Sequence, residues 1–306
     1  MNIEYILQCF PQNISCVLEN ELNKNNLKER VEEIRIKINS PIIINSSMEE
    51  IVVNYRVKEN EISHVLQKIC ENSLYSYQKQ IASGYITIKG GNRVGLVGSG
   101  IIEDEKIINL NYISSLNFRI SRQIKDCSMP IIYEILDIEN NSIFNTLIVS
   151  PPGVGKTTLL KDIIEKISDG IKGFKGLRVA VIDERGEIAA SYKGSAQNDL
   201  GIRTDILDNI SKDIGMKMAI RSMAPKVIVA DEIGSKEDSE AIRYAIRCGV
   251  KGIFTAHGSS IEEIAHNPEL NCLIKEQVFD NVILLKRRTG KTIEKAIYKV
   301  KGESWK

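Results

Sequence analysis

A membrane-length apolar run, a leader-like segment, paired cysteines and a surplus of one charge are all missing from this sequence of 306 residues. Each absence removes a class of function. No stretch approaches the roughly 18 apolar residues that a spanning helix needs, so no transmembrane segment is expected. The opening Met1-Asn2-Ile3-Glu4 puts no basic region ahead of an apolar stretch, so no secretory signal is expected either. Cys9, Cys16, Cys70, Cys127, Cys248 and Cys272 are scattered, without a C-x-x-C pair or a nearby histidine. That pattern excludes a zinc site or disulfide frame and suits free thiols in a reducing cytosol. Lysine and arginine number 41 against 40 acidic residues, a net charge of +1. No global field therefore advertises nucleic acid or an anionic membrane as a partner. Internal repeats and low-complexity tracts are also missing.

What is present centres on one stretch, Asn145-Thr-Leu-Ile-Val-Ser-Pro-Pro-Gly-Val-Gly-Lys-Thr-Thr158. Thr146 to Val149 is apolar and β-branched, as a buried strand requires. Two prolines and two glycines between Ser150 and Gly155 end it. Beyond Lys156, apolar residues at Leu159, Leu160, Ile163, Ile164 and Ile167 mark one face of a helix. Strand, glycine-bearing loop and helix opening on Gly-Lys-Thr form the context of a phosphate-binding P-loop. Backbone N–H groups at a helix N-terminus converge on an anion, so Ser150, Pro151, Pro152, Gly153, Val154, Gly155, Lys156, Thr157 and Thr158 are the expected nucleotide contacts. Lys156 is expected to reach the β- and γ-phosphates, and Thr157 to hold Mg²⁺. Ser150 stands where the full pattern has glycine, and serine restricts φ where glycine does not.

The flanking chain divides in two: an α+β domain over 1–125, a linker or hinge over 126–144, and the P-loop domain over 145–306. In the first, Glu33–Ile38 alternates like a half-buried strand, Pro41–Ile44 starts another, and Asn60–Cys70 has helical spacing. Gly84–Val97 reads as a hairpin with a Gly-Gly turn. Its glycines do not form a dinucleotide fingerprint, because no helix follows. His64 reads as an ordinary histidine. The connection carries a short helix, Pro130–Leu136, before polar Glu139–Ser142. In the P-loop domain, buried strands are expected over Leu177–Ile182, Lys226–Ala230, Gly252–Ala256 and Asn281–Leu285, with a returning strand near Ile293–Val300. Helices lie near Ser211–Met223 and Ser235–Cys248, the latter with a capping pair, Ser235 and Asp238, and Gly249 as terminator. This alternation predicts an α/β fold with a mostly parallel sheet. The basic stretch Lys286–Lys291 reads as a hairpin tip in water.

Ligands gather at the carboxyl ends of parallel strands, and three of these strands end in polar groups. Four apolar residues followed by Asp231-Glu232 make a Walker B pattern. Asp231 is expected to hold Mg²⁺, and Glu232 to orient or deprotonate the attacking water. Asp183, Glu184 and Glu187 form a second acidic group, for which a cap or plain ion pairs are the alternative. His257 suits a γ-phosphate sensor or a satisfied strand end. Arg203 and Arg221 lead as arginine fingers, in cis or from a neighbouring subunit, with Arg119 and Arg122 behind them.

Taken together, Ser150–Thr158, Val181–Ala189, Gly201–Asp205, Ile220–Pro225, Val227–Gly234, Thr255–Gly258, Gly84–Leu96 and Phe118–Arg122 resemble the stage III sporulation protein AA family across nearly the whole chain. That family is similar to the traffic ATPases of type II and type IV secretion and of type IV pili. The resemblance implies a RecA-like P-loop ATPase core hinged to an N-terminal domain, assembly as a hexamer, and ATP with Mg²⁺ as cofactors. It assigns Lys156 and Thr157 to Walker A, Asp183–Glu187 to an Asp box, Asp231 and Glu232 to Walker B, and His257 to a His box. It also implies a cytoplasmic protein peripheral at the membrane on the mother-cell side, energising a channel to the forespore during endospore formation. The acidic box, Asp-Glu-Arg-Gly-Glu, differs from the Glu-Asp-Pro type of secretion relatives, so Glu232 and Glu184 both stand as water activators, with Glu232 favoured because it directly follows the metal aspartate. Two other functions stay open: a nucleotide-gated scaffold with little hydrolysis, and a nucleic-acid motor on the same core. A GTPase is disfavoured, because the one Asn-Lys pair, Asn23-Lys24, precedes the P-loop and lacks an acidic partner.

Overall fold

The computed structural model describes residues 3–46, 48–287, 293–301 and 304–305. The chain forms two compact units, one of residues 1–122 with 190–197 and one of residues 123–189 with 198–306. Residues 288–292, which include most of the basic stretch after Lys286, lie outside the described residues.

The first unit is an antiparallel six-stranded sheet in the order Glu50–Arg56, Pro41–Ser46, Val31–Lys37, Lys106–Arg119, Asn92–Glu103, Tyr85–Ile88. Alternation decides its inner face: Val31, Ile34 and Ile36 are buried while their neighbours are exposed or half-buried. Helices Gln12–Lys24 and Glu59–Ile69 supply Ile14, Leu18, Leu22, Ile62, Val65 and Ile69 to the same core. The Gly-Gly turn is observed, with Gly90 and Gly91 at φ 84° and 73°, a region that favours glycine. His64 is exposed on its helix. Arg119 and Arg122 belong to this unit, and Arg122 donates to the Val31 carbonyl at 2.6 Å.

The second unit is built on a sheet ordered Thr204–Asp208, Val179–Asp183, Val227–Ala230, Lys251–His257, Thr146–Ser150, Asn281–Arg287, Ile293–Lys301, Ser304–Trp305. The first six run parallel, Ile293–Lys301 returns antiparallel to them, and Ser304–Trp305 pairs antiparallel with that returning strand. Its central strands are apolar on both faces because helices cover both. Ile148, Val181, Val229 and Ile253 pack with Leu160, Ile163, Ile164 and Ile167 of the Lys156–Asp169 helix. Their neighbours Leu147, Ile182, Ala230 and Phe254 pack with Met216, Ala219, Ala241 and Ile242 of helices Lys212–Ser222 and Lys236–Arg247. The Ser235–Asp238 capping box is formed, and Gly249 has φ 76°.

Three features differ from the sequence expectations. The 126–144 stretch is not a free linker. Ile131, Ile132, Ile135 and Ile143 are buried in the second unit's core, and the N–H groups of Asp126 and Ser128 donate to the buried Asp162 carboxylate at 2.8 and 2.7 Å. Residues 190–197 leave the 145–306 domain and belong to the first unit. There Lys193 Nζ lies 2.5 Å from Glu71, Tyr192 donates to Glu71, and the Gly90 N–H donates to Gln197 at 2.8 Å. Thr204–Asp208 is a further parallel strand at the sheet edge, too polar and half-exposed to show as an apolar run. All six cysteines are unbridged.

Candidate functional site

Registered parallel strands bring residues distant in sequence to one edge. Ser150 pairs with His257, Ala230 with Ile182, and Asp183 with Asp208. Ser150, Asp183, Asp231 and His257 therefore all stand at carboxyl ends of strands. The P-loop leaves this edge from a fully buried strand, turns through Gly153 and Gly155 at φ 75° and 99°, and enters the helix at Lys156. Ser150 causes no backbone strain. It is the last residue of its strand, is not among the positive-φ positions, and its carbonyl accepts from the Gly258 N–H at 3.2 Å. Glycine's freedom is needed two and four residues after Pro151, and glycine stands at both places.

Lys156 is 7% exposed and points back under the loop. Its Nζ lies 3.3 Å from the Ala256 carbonyl and 3.4 Å from His257 Nδ1. Burial holds the ammonium below the usual lysine range, against the pull of Glu232, Asp231 and Glu187. His257 Nε2 is 2.7 Å from Glu232 Oε1. A carboxylate only accepts, so Nε2 carries the proton and Nδ1 is the acceptor that faces the lysine. Lysine, imidazole and carboxylate thus form one chain. Burial pushes the Glu232 carboxyl up, but the His257 hydrogen bond and the Arg185 charge outweigh it and hold the group below the usual range. Its other oxygen pairs with Arg185.

The Glu232 backbone is held as firmly as its side chain. At φ 48° it sits in the left-handed region, which costs a non-glycine residue about 1–3 kcal/mol. Thr255 offsets this: its hydroxyl accepts the Glu232 N–H at 2.9 Å and its carbonyl accepts the Ile233 N–H at 2.8 Å. Asp231, beside it, is 3% exposed. Burial, then the nearby carboxylates of Asp183, Glu232 and Glu187, raise its pKa to about 6. A buried carboxylate among carboxylates suits a hard cation that takes oxygen ligands, such as Mg²⁺. Among the described residues no three His, Cys, Asp or Glu side chains gather as a closed metal cage.

The second acidic group splits by role. Asp183 is fully buried and accepts the N–H groups of Glu187, Ile188 and Ala189 at 2.8, 3.1 and 2.8 Å, so it organises the turn that carries Arg185. Glu184 turns to Lys212, 2.7 Å away, and not to the Lys156–His257–Glu232 chain. Arg203 and Arg221 do not reach this edge. Arg203 precedes the Thr204–Asp208 strand, and its guanidinium donates to the Ser168 carbonyl at 2.9 Å, at the carboxyl end of the P-loop helix. Arg221 is in the last turn of the helix leading to the start of the Val227–Ala230 strand. One strand of four or five residues, about 16 Å, separates these starts from the phosphate edge, so neither is a finger in cis. Sequence reasoning missed Arg185 and Thr255. Their only signal was position: inside Asp-Glu-Arg-Gly-Glu, and two residues before His257.

A family profile described as Sporulation stage III, protein AA matches residues 2–305. The chain belongs to that family. Stage III sporulation protein AA of Bacillus subtilis (strain 168) is 38% identical over 275 residues, covering 89% of this chain and 88% of that one. Among solved structures, the ATPase DotB of Legionella pneumophila is similar at TM-score 0.63 and 16% identity, over 96% of this chain and 82% of its own. The pilus retraction motor PilT, solved with bound ADP, is similar at TM-score 0.61 and 13% identity, over 91% and 82%. This member of the sporulation family thus carries the RecA-like fold of secretion and pilus ATPases. No helix among its described residues is long and apolar enough to cross a membrane.

Proposed function

We propose that this chain is a Mg²⁺-dependent ATPase that works as a mechanical subunit of a sporulation channel. The observation that carries this reading is the linkage of Lys156, His257 and Glu232 at the mouth of a P-loop, with Asp231 buried beside it. ATP binds with its phosphates along Ser150–Thr158, and Lys156 offers its ammonium to the terminal groups. Thr157 and Asp231 would hold Mg²⁺, which would supply charge neutralisation for the phosphate oxygens. Glu232 takes the proton of the attacking water, and His257 keeps the carboxylate aimed through its Nε2–H. Glu232 is favoured over Glu184, whose carboxylate is engaged with Lys212. We further propose a ring, hexameric as the family resemblance implies, lying in the mother-cell cytoplasm against a membrane protein of the channel. Hydrolysis there drives relative motion of the two units.

The test is nucleotide binding with single-turnover hydrolysis in wild type, Lys156→Ala and Glu232→Gln. Wild type should hydrolyse ATP. Lys156→Ala should lose productive γ-phosphate binding with an unchanged circular dichroism spectrum. Glu232→Gln should still bind and turn over at least a hundredfold more slowly. Equal, negligible hydrolysis in wild type and Glu232→Gln would sink the enzyme reading and leave a nucleotide-gated scaffold.

A further inference from the structure

Glu232 has two holders, and they are unlike each other. His257 is rooted in the sheet and bonds one oxygen, while Arg185 pairs with the other from the Asp183-anchored turn. The Arg185 side chain is 61% exposed and the Glu232 side chain 18%. Thr255 fixes the glutamate's backbone, and the three N–H bonds to Asp183 fix the turn that bears the arginine. The long guanidinium arm is therefore the part able to move. Through Glu232 and His257 it is joined by a chain of polar contacts to Lys156.

We propose that Arg185 reads the terminal phosphate of a nucleoside triphosphate and, in doing so, hands Glu232 over to catalysis. This rests on the ATPase reading above. A carboxylate offers the guanidinium one charge and two oxygens. A terminal phosphate offers up to two charges and three acceptor oxygens, in a geometry the planar fork matches. With a triphosphate in the cleft the guanidinium exchanges partners. Glu232 then keeps only His257, and the oxygen that Arg185 had covered is left open to an attacking water. A diphosphate leaves the γ position empty, so nothing competes there and the Arg185–Glu232 pair stays closed. Arg185 is in this way both a specificity element for triphosphate over diphosphate and a latch on the base.

The test is titration of a fluorescent ADP and of a non-hydrolysable ATP analogue against wild type, Arg185→Ala, Arg185→Lys, Glu232→Gln and the Arg185→Ala/Glu232→Gln double variant. Melting curves confirm the fold, which an exposed guanidinium should not control. Arg185→Ala should bind ADP within about twofold of wild type and the analogue about tenfold or more weakly, the size of one charge-assisted hydrogen bond. Arg185→Lys should fall between, keeping charge but not the fork. Glu232→Gln, which removes the competing charge, should bind the analogue a few-fold more tightly than wild type. That gain should vanish when Arg185 is already alanine. An analogue-to-ADP affinity ratio in Arg185→Ala within twofold of wild type would overturn the proposal, as would an undiminished Glu232→Gln gain in the double variant. Failure of the wild type to bind either nucleotide would overturn the ATPase reading, and this inference with it, before any Arg185 variant is compared.

Discussion

Asp231 shows what a crowded, buried strand end does to one residue. Its carboxyl is pushed up to about 6, by burial first and by the carboxylates of Asp183, Glu232 and Glu187 next. An ordinary aspartate in the unfolded chain titrates near 3.8. The stability that Asp231 contributes is thus fully present below about pH 4, where it is protonated in both states. It is lost as pH rises through about 6, because the folded chain must then hold an unwelcome charge. A rise of that size corresponds to roughly 3 kcal/mol, which the asparagine amide recovers only in part. Asp231→Asn should therefore stabilise the chain by on the order of 2 kcal/mol at pH 8 and hardly at all at pH 4, while abolishing Mg²⁺-dependent hydrolysis. Urea unfolding at the two pH values reads the difference; an equal gain at both would mean that the charge is not the cause. That Asp231 would be acidic, apolar-flanked and near the P-loop was legible in Val227–Glu232. That Arg185 would meet Glu232 was not, because the pairing depends on which strands are neighbours in the sheet, and sequence order does not give that.

At the scale of elements, what sequence makes legible follows burial. Strands covered on both faces announce themselves as apolar runs, and Thr146–Val149, Val227–Ala230 and Gly252–Ala256 are such strands. The Lys236–Arg247 helix is equally plain, since its start is written in Ser235 and Asp238 and its end in Gly249. Thr204–Asp208 stays hidden because an edge strand is covered on fewer sides and tolerates two aspartates. The connection over 126–144 reads as a hinge in sequence because its polar end suggests solvent. Its fixed point lies elsewhere, in Asp162, a charged residue on the inward face of the P-loop helix. That carboxylate accepts from two backbone N–H groups and from the Ser128 hydroxyl. Asp162→Ala leaves the two Ser128 donors buried without an acceptor and should cost about 2–4 kcal/mol. Hydrogen exchange should quicken first at Asp126 and Ser128. Unchanged protection there would show that apolar packing of Ile131, Ile132 and Ile135 alone holds the connection.

For the whole molecule, the parallel sheet separates two edges that the linear sequence interleaves. The groups proposed for the phosphate stand where strands end, and Arg203 and Arg221 stand where strands begin. Arg203 satisfies carbonyls at the end of the P-loop helix, so its work is within the fold. Arg221 is exposed. A single chain gives it no path across a strand length of about 16 Å to its own nucleotide. A neighbouring chain in the proposed ring would give it one, since head-to-tail packing places one subunit's surface against another's cleft. Arg221→Ala should accordingly match wild type in turnover at dilutions where the chain is monomeric. It should fall at least threefold below wild type at concentrations where wild type assembles, with assembly itself unchanged by native mass measurement. Equal rates at both concentrations would confine Arg221 to the surface and leave Arg185, in the same chain as the base it holds, as the arginine that answers to the phosphate.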